Sequence, residues 1–146
     1  KAKGGKREEV RKLTMFSSTT EQRVYYADTD HGGVAYYASY LRRFEVGRTE
    51  LLRELGIEQG ELDREGILLP VVEVKCEYKS PALYNDIILI ETSIMKIGNK
   101  SITFSYGILR KEGRKLLAQG HTVNVFAKGT SSTEIPPDIR KKLEKS

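Results

Sequence analysis

The sequence predicts an α+β domain in which an antiparallel sheet wraps around one long helix. Three observations carry that expectation. A single stretch of helical period runs from Val34 to about Leu55. Four extended segments follow it, separated by turn formers. Two of these segments alternate sharply between apolar and polar residues, as a sheet with one buried face requires. A helix with a broad apolar stripe and a sheet with one apolar face then have each other to pack against.

Taken in order, Glu21 to Ala27 reads as a first strand around Val24, Tyr25 and Tyr26, and Asp28 to Gly33 supplies a turn. In the helix, Tyr37, Leu41, Phe44, Leu51, Leu52 and Leu55 recur at steps of three and four, while Arg42, Arg43, Arg53 and Glu54 fall elsewhere. Gly56 is a C-terminal stop, and a polar connection runs through Gly60 and Gly66. The segments Leu69 to Lys79, Leu83 to Ile97, Lys100 to Lys111 and Lys115 to Ala127 are the strands. Ser80-Pro81, Gly98-Asn99 and Glu112-Gly113 turn the chain between them, the last two as hairpins. Val72, Val74, Cys76 and Tyr78 form one buried face, and Ile102, Phe104, Tyr106 and Ile108 another. Pro136-Pro137 opens a short basic helix to about Lys145, since proline is tolerated in a first helical turn.

A chain of 146 residues has room for one core. The expected division is a basic flexible extension over 1–20, the domain over 21–129, and a tail with a short helix over 130–146. No apolar run approaches the ~18 to 20 residues that span a bilayer, so stable membrane insertion is not expected. The polar start lacks a secretory apolar core of about 7 to 15 residues, and a cytoplasmic protein is expected. The net charge of +5 favours an anionic partner, although much of the excess sits at the two ends, where solvated tails account for it. No basic and aromatic RNA-binding strand pattern is present, and no nucleic-acid partner is expected. The single cysteine, Cys76, reads as a core residue rather than a nucleophile, with neither histidine near it in sequence.

Chemistry concentrates between Tyr25 and Arg48. Asp30 precedes Gly32-Gly33, where a tight turn can bring backbone amides close to whatever the carboxylate faces. A helix starting near Val34 presents amides through Tyr37 without intrahelical acceptors, a positive end. Ester or thioester hydrolysis needs a base or nucleophile beside the carbonyl carbon and donors aimed at its oxygen. A thiol with a pKa near ~8.5 leaves as thiolate without a strong general acid, so thioesters suit so sparse a site better than amides. The competing account makes Asp30 and Asp28 local turn or helix-cap residues. Asp28, Asp30 and His31 span a turn too tightly to converge on one ion, so no metal site and no cofactor is expected. An aspartyl-phosphate reading of the D-T-D run fails because no alternating βα units and no later acidic pair follow. Glu45 is an auxiliary carboxylate, with pairing to Arg48 as its plainer explanation.

These same residues resemble the hotdog-fold acyl-CoA thioesterases, the group that includes 4-hydroxybenzoyl-CoA thioesterase and the thioesterase associated with the bacterial Tol-Pal system. The resemblance lies in Tyr26-x-Asp28-Thr29-Asp30, Gly33-Val34, Tyr36, Tyr40 and Glu45-x-x-Arg48-Thr49-Glu50, and continues through Tyr78-x-x-Pro81 and Asp86. It implies a hotdog fold, hydrolysis of acyl-CoA to free acid and CoA, a catalytic Asp30, and substrate polarisation by amides around Gly33, Val34 and Tyr37. It also implies a homodimer or homotetramer with acyl-CoA at the dimer interface, and Lys100, Ser101 and Lys128 as candidates for CoA contact. Tyr37 stands where the Tol-Pal branch commonly carries histidine, and His31, an auxiliary candidate, replaces a small residue or proline. The alternative from another class is a non-catalytic acyl-CoA-binding hotdog protein in which Asp30 only caps the helix.

Overall fold

The computed structural model describes residues 16–30, 32–35 and 37–144. A five-stranded antiparallel sheet in the order β1-β4-β5-β6-β3 is built from β1 (Ser17–Arg23), β3 (Val71–Tyr78), β4 (Ile87–Ile97), β5 (Ser101–Arg110) and β6 (Leu116–Val125). Helix α1 (Tyr37–Glu54) packs against one face of it, on β1, β4 and β5. A short helix α2 (Gln59–Arg64) follows, and β2 (Ile67–Leu68), β7 (Ala127–Lys128) and β8 (Ser131–Ser132) form a small second sheet. The described chain ends in helix α3 (Pro137–Glu144).

The core is the meeting of the helix stripe and the inward rows of β4 and β5. Ile88, Ile90 and Ile94 and then Ile102, Phe104, Tyr106 and Ile108 are buried, opposite Tyr40, Phe44 and Leu51. Phe44 stacks on Tyr106 with ring centroids 4.2 Å apart and planes 6° from parallel. At Gly47 helix and sheet come so close that a Cβ would stand 2.2 Å from Thr92 Oγ1, so only glycine fits. Gly56 ends α1 as expected. It is left-handed (φ +84°), its N–H donates to Arg53 O at 3.0 Å and that of Ile57 donates to Leu52 O at 2.8 Å, closing the last carbonyls of the helix.

The structure departs from the sequence reading in five places. The first strand is Ser17–Arg23 rather than Glu21 to Ala27, so Ser17 to Thr20, assigned to the extension, pair with β4 from Ser93 to Ile90. This is a polar edge strand held by backbone bonds, with no apolar alternation to betray it; Tyr25 and Tyr26 are left 64% and 76% exposed. The rest of the expected extension, residues 1–15, lies outside the described residues. Helix α1 begins at Tyr37 rather than Val34, because Val34 and Ala35 are held extended by bridges to Leu83 and Thr29. The connection through Gly60 contains α2, which buries Leu62. The tail is part of the fold: Ile135, Ile139 and Leu143 are buried, and Lys142 Nζ donates to Gly56 O at 2.9 Å. Finally, the apolar side of β3 is only partly covered by the described residues: Val72 is 62% and Val74 45% exposed, whereas Cys76 packs against the core and Tyr78 against Tyr37 and Tyr40.

Candidate active site

The loop that enters α1 is hydrogen-bonded into a fixed shape. Asp30 N donates to Val34 O at 2.9 Å and Gly33 N to Asp30 O at 3.1 Å, closing a tight turn. A second wall comes from the segment before β4: Ala35 N donates to Ala82 O at 2.7 Å, and Tyr84 N to Gly33 O at 3.0 Å. Asp30 is exposed, and its Oδ1 accepts from Gly32 N at 2.9 Å and Val34 N at 3.4 Å.

The two aspartates of the D-T-D run have different surroundings. Asp28 is 7% exposed, and both its oxygens are engaged. Oδ2 accepts from Tyr25 N at 3.0 Å and Arg43 Nη2 at 2.7 Å, and Oδ1 from Arg42 Nη2. A carboxylate buried and held by two arginines is not free to meet a substrate, whereas Asp30 faces solvent. Arg43, placed off the apolar stripe by the sequence reading, is 4% exposed. Burial pulls its guanidinium below the usual arginine value, and the Asp28 charge opposes that shift. The signal for it was present: Arg43 stands three residues after Tyr40 and four before Gly47, on the inward face.

Beyond the loop, a groove of about 440 Å³ opens between α1 and β3, with Leu41, Phe44, Val71 and Val74 as apolar walls. Glu45 and Arg48 also line it. The recorded bond of Arg48 is not to Glu45: its Nη1 donates to Tyr106 Oη at 3.4 Å, and Tyr106 Oη lies 2.6 Å from Thr122 Oγ1. The Tyr37 ring leans on Tyr78 at 4.4 Å, and Tyr78 on Tyr40 at 5.2 Å. Burial pushes the Cys76 thiol up, the opposite of what a nucleophilic thiolate needs.

The same burial sets a pH limit. Desolvation, helped by a hydrogen bond with Cys76, pushes Tyr78 up to about 12 from 10.0, and burial also raises Tyr40 and Tyr106. Between the unfolded and folded values the native state holds more protons than the unfolded chain. The stability these tyrosines contribute is therefore complete below pH 10 and lost as pH rises through the folded values. The denaturant midpoint is expected to hold to pH 10 and then fall, with phenolate absorbance appearing as the chain unfolds. A midpoint flat to pH 12 would contradict these shifts.

Asp30, Gly33, Val34 and Tyr37 come together at one end of the sheet, beside Ala82 to Tyr84. Lys100, Ser101 and Lys128 lie at the other: β5 starts at Ser101 and reaches the Asp30 end at Arg110, roughly 30 Å away at about 3.3 Å per residue. His31 lies outside the described residues, and among those described no group of three His, Cys, Asp or Glu is placed to hold a metal. Nor is any described helix long and apolar enough to cross a membrane.

A long helix cradled by an antiparallel sheet is the hotdog arrangement, and solved structures agree. A DHNA-CoA thioesterase from Staphylococcus aureus superposes with a TM-score of 0.84 at 27% identity, over 88% of this chain and 89% of that one. A 4-hydroxybenzoyl-CoA thioesterase from Pseudomonas sp. strain CBS-3 superposes at 0.78 and 25% identity, over 86% and 98%. The chain belongs to the thioesterase-like superfamily, which matches residues 24–143. In sequence it is 39% identical over 94 residues to the acyl-CoA thioester hydrolase YbgC of Escherichia coli O6:H1, covering 64% of this chain and 70% of that protein. These relatives and the shared fold support acyl-CoA thioester hydrolysis as its activity.

Proposed function

We propose that this thioesterase cleaves acyl-CoA to free acid and CoA with Asp30 as the acting carboxylate. The observation that carries the assignment is the contrast within the D-T-D run, where Asp28 is buried and held by Arg42, Arg43 and Tyr25 N while Asp30 is exposed beside the entry of α1. The loop amides hold Oδ1, and Oδ2 meets the carbonyl carbon, directly or through a water that it deprotonates. Gly33 and Val34 shape the turn with their own amides, and Tyr37, first residue of α1, offers the thioester oxygen an N–H with no intrahelical acceptor. The CoA thiolate leaves without a strong acid. Release of free thiol from short, long and aromatic acyl-CoAs tests the reaction; binding of all of them without turnover would overturn it.

The working unit is a homodimer, alone or within a homotetramer. β3 is an edge strand with β6 as its neighbour in the sheet, and its exposed valines offer a second copy both backbone partners and apolar surface. Antiparallel pairing of two β3 edges about a two-fold axis brings the Lys100, Ser101 and Lys128 end of one subunit toward the Asp30 end of the other, where CoA phosphates would need cations. Val72→Lys is expected to yield a monomer by light scattering with turnover lost; an active monomer would remove the shared site. Cytoplasmic residence belongs to the same proposal.

A further inference from the structure

We propose that Asp28 and Arg43 are positioning residues for Asp30, a clamp that fixes the first half of the catalytic loop; the inference rests on Asp30 being the acting carboxylate. The second half of the loop is pinned by backbone bonds, Ala35 N to Ala82 O and Tyr84 N to Gly33 O. The first half carries backbone bonds within the loop, Asp28 N to Tyr25 O and Thr29 N to Tyr26 O, and side chains tie it to β1 and α1. Asp28 sits two residues before Asp30 and gathers three donors, from Tyr25 N, Arg42 and Arg43. Arg43 in turn reaches a third element: its Nη1 donates to Gln22 Oε1 and its Nη2 lies 3.4 Å from Arg23 O, both on β1. One buried fork thus ties the last residues of β1, the loop and the second turn of α1 into a single unit. Thr29 adds a local brace, its Oγ1 donating to Tyr26 O at 2.6 Å.

Geometry explains why arginine stands there. A planar guanidinium aims several donors in fixed directions and so holds the strand and the loop at once, whereas an ammonium is a point charge on a flexible stem. The reach from Asp28 to Asp30 is only two residues, about 7 Å of chain, so a shift at the clamp is passed to the carboxylate with little slack. Displacement of a reacting group by about 1 Å is enough to cost on the order of 10²-fold in rate.

Arg43→Lys keeps the charge and loses the fork. It is expected to lower kcat by about 10-fold to 10²-fold, with KM within about threefold of the unmodified enzyme, since the loss falls on alignment and not on acyl-CoA binding. Asp28→Asn keeps the volume and an acceptor for Tyr25 N, and gives the same readout should the lysine variant not fold. The double variant Asp28→Asn/Arg43→Met removes a buried charge pair together and is expected to regain thermal stability without regaining kcat. A purely structural role would lower stability and leave kcat per folded enzyme unchanged, so Arg43→Lys or Asp28→Asn with undiminished kcat, or a double variant that recovers kcat with its stability, would overturn the clamp. Asp30→Asn run alongside separates the two ideas. If it retains turnover the Asp30 assignment fails, whereas its inactivity beside a fully active Arg43→Lys removes the clamp alone.

Discussion

Asp30→Asn is expected to fold as the unmodified enzyme does and to lose on the order of 10³-fold in kcat. The fold should survive because the carboxylate's local duty is as an acceptor: Oδ1 takes the Gly32 and Val34 amides, and an asparagine oxygen can take them as well. What asparagine cannot do is attack a carbonyl carbon or deprotonate a water. Thermal midpoint and far-ultraviolet dichroism would match the unmodified protein while thiol release falls away. If Asp30 were only a loop cap, the same substitution would leave turnover nearly intact. The experiment therefore discriminates between the two readings of an aspartate in a turn, which local geometry alone leaves superimposed.

How far the chain could be read beforehand depended on whether a signal was periodic or tertiary. β5 was legible because burial on one face forces alternation, and Ile102, Phe104, Tyr106 and Ile108 sit where that pattern puts them, while β4 and β6 were legible as extended segments between turn formers. Gly56 was legible because few residues other than glycine end a helix that way. β1 was not, since Ser17 to Arg23 earns its place through backbone bonds to an exposed edge of β4, which leave the side chains free to be polar. The same β3 alternation that implied a buried face belongs to a strand that its own chain leaves partly uncovered, and no single-chain pattern distinguishes a core face from an interface face. At the site, Asp30 and the glycine turn were visible as residue types in sequence. The engagement of Asp28 with Arg43 was not, because it joins positions fifteen apart through a burial that only the assembled sheet creates.

Gly120→Ala is expected to be the most damaging single methyl in the sheet. Gly120 on β6 faces Cys76 on β3, and a Cβ built there would lie 2.0 Å from Lys75 O, 3.0 Å from Lys75 C and 3.1 Å from Cys76 Cα. All three are backbone atoms, so no side-chain rotation relieves the clash, and β3 must move off β6. The cost should be roughly 3 kcal/mol, a fall of about 10 °C in Tm. The consequence reaches beyond stability. β3 carries Val71 and Val74 of the groove, Tyr78 against Tyr37, and the edge proposed to join two subunits. Partial release of the strand should lower the dimer affinity and kcat/KM along with the midpoint. Gly107→Ala on the neighbouring strand is the control, because its added Cβ would meet only Leu109 Cδ1 at 3.8 Å and Leu116 Cδ1 at 4.0 Å. Equal midpoints for the two alanine variants would mean that β3 does not approach β6 as closely as the structure has it.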